Sequence, residues 1–158
     1  MIQRIQTIYL LVATICSIVC LSLPIGRYVD DGLLTARLYN LCILQVDNSA
    51  EHVFSFAAVP LFVILLLAVV ISLYTIFMYR NRKLQMRLCS FSSLLVIGWY
   101  IVYAVLAKLW GGSIDVTSLS FAPSVGAALP AVALIFNLMA RRAINADEQL
   151  VRAADRIR

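Results

Sequence analysis

Four cysteines and one histidine are the residues of this chain best suited to redox or metal chemistry: Cys16, Cys20, Cys42, Cys89 and His52. Passing electrons from thiols to a quinone needs exposed, paired cysteines. A structural metal site needs a set of about four ligands at a recognisable spacing. Cys16 and Cys20 lie one helical turn apart inside an apolar stretch, no C-x-x-C pair exists, and Cys42 stands alone. That pattern fits small packing residues better than a redox pair. His52 sits at the edge of a long apolar run, where it reads as an interfacial residue. A haem held by two histidines would need a second copy of the chain. No Gly-rich phosphate loop, Ser-His-Asp set or metal motif is present. The inventory therefore points away from an enzyme: no catalytic residue, metal ligand or cofactor is expected.

The elements that would position these residues are hydrophobic spans. The chain has 158 residues, 63% hydrophobic and 13% charged, with a net charge of +5. Soluble domains average about 25% charged residues, so this composition is that of an integral membrane protein. Val53 to Tyr79 contains no charge, and Arg80 to Arg87 then carries four cations in eight residues. A run that long, about 40 Å as a helix, exceeds a bilayer core of about 30 Å. The cations beside it read as a topology signal or a contact with anionic lipid, not as a nucleic-acid patch.

The expected fold class is an all-α membrane protein, a bundle of four transmembrane helices forming a single domain. The spans fall at about 7–23, 53–79, 88–106 and 123–139, with outer loops 24–52 and 107–122. A cleaved signal peptide is the competing reading of the first span, but Leu23 to Gly26 is a poor cleavage site. Thr7, Thr14, Ser17 and Ser22 are tolerated in it because hydroxyls bond back to helix carbonyls. Pro60 and Pro130 are expected to kink spans two and four, and Pro123 to sit in the first turn of span four. Ala127 and Ala131 form a small-x-x-x-small face for close helix approach. Trp99, Tyr100, Tyr103 and Trp110 are expected as interfacial anchors and packing residues, with an aromatic ligand platform as the alternative.

Gly32 to Val46 alternates weakly between turn signals at Asp31-Gly32 and Asp47 to Ser49, which predicts one or two strands, with a short interfacial helix as the alternative. Ile114 to Phe121, after a turn at Gly111 to Ser113, is a second strand candidate on the same side. The two outer loops are expected to pair into a small β-cap. At the other side, the cytoplasmic loop 80–87 makes spans two and three antiparallel neighbours. The tail 140–158 is expected to be an amphipathic helix continuous with span four, in which Glu148 and Arg152 have favourable i,i+4 spacing. Two readings of this tail stand side by side: a helix lying on lipid, or a docking helix for a partner.

Ten of the thirteen cations fall on the side of the two termini; only Arg27, Arg37 and Lys108 fall opposite. Positive charge stays inside, so both termini are expected in the cytoplasm. The middle thirds of the spans hold no Asp, Glu, Lys, Arg or His, which weighs against a proton-coupled transporter.

Met1 to Leu11 (MIQRIQTIYLL), Asn81 to Cys89 (NRKLQMRLC), Arg142 to Arg152 (RAINADEQLVR) and Asp155 to Arg158 (DRIR) are similar to a bacterial family catalogued as domain of unknown function 4293. The resemblance covers the whole chain. It implies a multi-pass protein of the bacterial inner membrane and brings no activity or ligand with it. The family-like residues are mostly cytoplasmic, which makes Arg4, Asn81, Arg82, Lys83, Gln85, Asp147, Glu148, Arg152, Asp155 and Arg156 the candidate interaction residues. Pairing of Arg82 or Lys83 with Asp147 or Glu148 would lock the tail under the bundle. The expected function is a non-enzymatic accessory or scaffold subunit acting through its basic loop and tail. Its partners would be the bilayer, a membrane or cytoplasmic protein, or further copies of itself. The alternative is a small-molecule or ion transporter working as an oligomer, with the Pro60 and Pro130 kinks as hinges.

Overall fold

The computed structural model describes residues 3–30, 33–45, 54–78, 81–112 and 120–156. The described chain is mostly helical, with α1 (Gln3–Ser22), α2 (Val59–Phe77), α3 (Arg82–Gly112) and α4 (Leu129–Arg156). All four helices are long and apolar enough to cross a membrane. Each packs on two others: α1 on α2 and α4, and α3 on α2 and α4. Five strands, β1 (Gly26–Asp30), β2 (Leu33–Leu38), β3 (Ile43–Gln45), β4 (Phe54–Ser55) and β5 (Ser120–Pro123), form one antiparallel sheet at one end of the helices.

Helix packing follows the buried stripes. On α1, Gln6, Leu10, Ala13, Ser17 and Cys20 recur every three or four residues and are all buried. On α4, Ala133, Asn137, Ala140 and Ile144 do the same. Small residues on both stripes let the helices approach closely. Thr14 and Ser17 donate to the carbonyls of Leu10 and Ala13 at 2.8 and 2.9 Å, which satisfies both hydroxyls within the helix. The small residues of the α4 stripe are Ala133 and Ala140, both fully buried. Ala127, one half of the expected small-residue face, lies outside α4, in a 3₁₀ turn at Val125–Ala128.

The prolines do not kink the spans. Pro60 is the second residue of α2 and Pro130 the second of α4. The first four N–H groups of a helix have no helical acceptor, so a proline there loses no bond and starts the helix with its φ already set. Residues 54–58, expected inside span two, are instead β4 and a 3₁₀ turn, and the apolar stretch able to cross a membrane is Phe56–Phe77. Pro123 ends β5 and is separated from α4 by the other 3₁₀ turn. Helix α3 is longer than the expected third span at both ends. It starts at Arg82, so most of the basic connection is its first two turns, and it runs through Gly111 and Gly112, where a turn was expected.

The sheet order is β4-β3-β2-β1-β5, so the last strand joins the first and ties the two connecting segments together. The 32–46 segment holds two strands, and a further one precedes it at Gly26–Asp30. Of the second expected strand, Ser120 and Phe121 lie in β5; its other residues are outside the described residues, as are His52 and the turns at 31–32 and 47–49. One sheet face is buried: Tyr28, Ala36, Leu38 and Ile43 share a core with Cys20, Leu61, Leu65, Trp99 and Tyr103 from the helices. A hairpin alone is marginal in water, and covering one face of a wider sheet with helices supplies the missing burial.

Of the two roles expected for Trp99, anchoring and packing, it takes the packing one: it is fully buried and stacks on Tyr103, with ring centroids 5.2 Å apart and planes within 6°. Its indole N–H donates to Asn40 Oδ1 at 2.9 Å, and Asn40 Nδ2 donates to the Cys20 carbonyl at 2.7 Å. The Tyr100 and Tyr103 hydroxyls donate to the carbonyls of Ala127 and Ile25 at 2.7 and 2.8 Å. The Trp110 side chain lies outside the described residues.

Candidate functional site: the basic end of the helices

The end of the molecule opposite the sheet carries most of the candidate residues. Asn81 accepts the first helical bond of α3, from the Gln85 N–H to its carbonyl at 3.0 Å. Gln85 is buried, and its amide donates to the Thr75 carbonyl at 3.3 Å, tying the start of α3 to the last turn of α2. Inward-facing Gln85 fixes the corner from which the cations of α3 project. Beneath it, Leu10, Cys89, Ala140 and Ile144 form a small apolar core shared by α1, α3 and α4.

Arg82 then reaches across to α4. Its Nη1 lies 3.2 Å from Asp147 Oδ2 and donates to the Asp147 carbonyl at 3.3 Å. One guanidinium thus holds both a carboxylate and the helix backbone, which fastens the projecting part of α4 to α3. At 1.5 Å per residue α4 is about 42 Å long, more than a bilayer core of about 30 Å. Ile144 is buried in the bundle, whereas Leu150 and Val151 are exposed.

Beside the ion pair the two helices open a cleft of about 770 Å³. Lys83, Met86, Arg87 and Ser90 line it from α3, and Leu138, Arg141, Arg142, Asn145, Glu148 and Gln149 from α4. Both sets follow the three- and four-residue steps of one helix face. Lys83, Arg87, Arg141 and Arg142 are exposed. A second recess of about 520 Å³, reaching Asn81, Arg82 and Val151, shares Lys83, Arg87 and Glu148 with it. Four cations and one carboxylate give the cleft a predominantly positive lining. No group of three or more His, Cys, Asp or Glu able to hold a metal occurs among the described residues.

A family model described as Domain of unknown function (DUF4293) matches residues 2–157. The chain belongs to this family. No curated protein matches it.

Of the candidate residues in this DUF4293 member, Arg82 and Asp147 are paired, Asn81, Lys83 and Glu148 line the clefts, and Gln85 is buried structure. Arg4, Arg152, Asp155 and Arg156 lie on α1 and α4, with side chains outside the described residues, so the Glu148–Arg152 spacing has no structural reading. The candidate set omitted Arg87, Arg141, Arg142, Asn145 and Gln149. The stripe 138, 141, 142, 145, 148, 149 on one helix face was the sequence signal for most of them.

A polar row inside the DUF4293 helices also went unread. Ser72 and Ser92 hydroxyls lie 3.0 Å apart, and Asn137 Nδ2 donates to Ser92 Oγ at 3.3 Å. Asn137 Oδ1 and Gln6 Nε2 are buried without a hydrogen-bond partner among the described residues. The cysteines are free thiols; Cys20 Sγ donates to the Gly126 carbonyl at 3.2 Å, and Cys89 belongs to the small apolar core.

Proposed function

We propose that this chain is a four-span protein of the bacterial inner membrane, with both ends in the cytoplasm, acting as a non-enzymatic scaffold or accessory subunit. One observation carries the reading. The Arg82–Asp147 pair fastens the projecting end of α4 to α3 while Lys83, Arg87, Arg141 and Arg142 stay exposed along one cleft. An acidic segment of a membrane or cytoplasmic protein is the partner whose charge complements that cleft. The orientation rests on the charge count, since ten of thirteen cations lie in the segments at this end.

The test is co-purification in a gentle detergent. A stoichiometric partner should remain with the intact protein and be lost from R87E/R142E, while both forms keep the same Tm. An unaccompanied protein of the same size in both samples would overturn the reading. A second reading, a small-molecule or ion transporter working as an oligomer, draws on the polar row at Ser72, Ser92 and Asn137, which breaks the apolar interior. Its proline hinges have gone, because Pro60 and Pro130 start helices. Solute flux in vesicles loaded with the purified protein, abolished in N137L, would favour it over the scaffold.

A further inference from the structure

Arg27 and Arg37 are direct partners across β1 and β2. Side chains paired in this way leave the same sheet face with Cβ atoms about 5 Å apart, and like charges so placed repel. Their strand neighbours Gly26, Tyr28, Ala36 and Leu38 are buried, so both arginines stand on the face turned away from the core. Among the described residues neither guanidinium has an ion pair or hydrogen bond. Beyond a bulge between Tyr28 and Val29, half-buried Val29 pairs with half-buried Leu34. These four side chains line a groove of about 600 Å³ that continues over Leu23 at the end of α1 and Val125 before α4. Leu23 is 38% exposed and Val125 82%, and the apolar surface runs on down α1 through exposed Val19 and Ile18.

We infer that this groove binds an anionic phospholipid, with its phosphodiester between Arg27 and Arg37 and its acyl chain along Leu23, Val125 and the outer face of α1. Two guanidinium forks can share the oxygens of one phosphate, turning a repulsive pair into a chelating one. The apolar continuation down α1 favours a lipid over a free anion, because only an amphiphile uses both parts of the groove. The lipid source rests on the proposed membrane insertion; the anion site itself does not.

The test uses the intact purified protein in a neutral detergent, titrated with short-chain phosphatidylglycerol and, separately, with phosphatidylcholine and inorganic phosphate. Flotation with vesicles reads membrane insertion independently in the same samples. We expect phosphatidylglycerol to bind the wild type at least tenfold more tightly than R27Q/R37Q, with K108Q behaving as wild type. R27K/R37K, which keeps the charge but not the fork, should lose several-fold. Without lipid, R27Q/R37Q should melt no lower than wild type, and added phosphatidylglycerol should raise the Tm of the wild type alone. Equal binding by wild type and R27Q/R37Q would overturn the site. Full affinity in R27K/R37K would overturn the chelating geometry, and displacement by millimolar inorganic phosphate would overturn the lipid assignment. A protein that binds phosphatidylglycerol in detergent but does not float would overturn the membrane reading and leave the anion site standing.

Discussion

The two ends of the molecule are built on opposite plans. At the sheet end, Asn40, Trp99, Tyr100 and Tyr103 are tied by hydrogen bonds to neighbouring elements, and the strands close over a continuous core. Even glycines are locked there. A Cβ on Gly26 would stand 2.6 Å from the Phe121 ring, and one on Gly126 would run into the Pro24 carbonyl oxygen. At the basic end, one ion pair among the described residues fastens α4 to α3, and the flanking cations face solvent. Dense, satisfied networks in a low-dielectric interior specify a single arrangement, whereas exposed charges cost little to keep and are free to meet a partner. The sheet end therefore holds the fold, and the basic end is where substitutions should alter binding with little effect on stability.

The largest expected effect that tests this contrast is Trp99→Ala. Losing a fully buried indole should cost about 3–5 kcal/mol, read as a fall in Tm in detergent. Asn40→Ala strands the Trp99 N–H and the Cys20 carbonyl together; at about 1 kcal/mol or more per buried unpaired group, a loss of at least about 2 kcal/mol is expected. If the double variant loses less than the sum of the two, the network acts as a unit. Asp147→Asn at the other end should cost about 1 kcal/mol or less, because the pair is partly exposed and screened by salt. A loss there as large as that of Asn40→Ala would break the comparison. A further effect is confined to alkaline pH. Burial pushes the Tyr28 phenol up from 10.0 to about 12. The folded state thus prefers the neutral phenol, so stability is unaffected by this group below pH 10 and falls as pH rises toward about 12. Tyr28→Phe should flatten that part of the stability profile, measured by thermal melts between pH 9 and 12.

Much of this was legible in the residues because it depends on local properties. Apolar runs marked the helices, and the tail's periodicity marked its continuity with α4. The pairing of strands from two distant segments was also expected, since both alternate. The failures have a common cause: the sequence signal did not say which side of a boundary a residue falls on. Pro60 and Pro130 look like kinks inside long apolar runs but become helix starts once β4 and the 3₁₀ turns claim the residues before them. Trp99 reads as either an anchor or a packing residue, and the sheet that covers it and the Asn40 hydrogen bond make it packing. Gln85 looks like part of a basic loop, but the loop winds into α3 and turns its side chain inward.

Composition and hydropathy alone determined that this chain makes four apolar helices and gathers its positive charge in the segments at one end, because burial and charge placement are summed over many residues and survive local error. The tertiary structure decided which polar residues meet: Arg82 with Asp147, Arg27 beside Arg37, and Asn40 under Trp99. Hydrogen bonds and ion pairs act over about 3 Å, so they depend on register and helix rotation that no local pattern encodes.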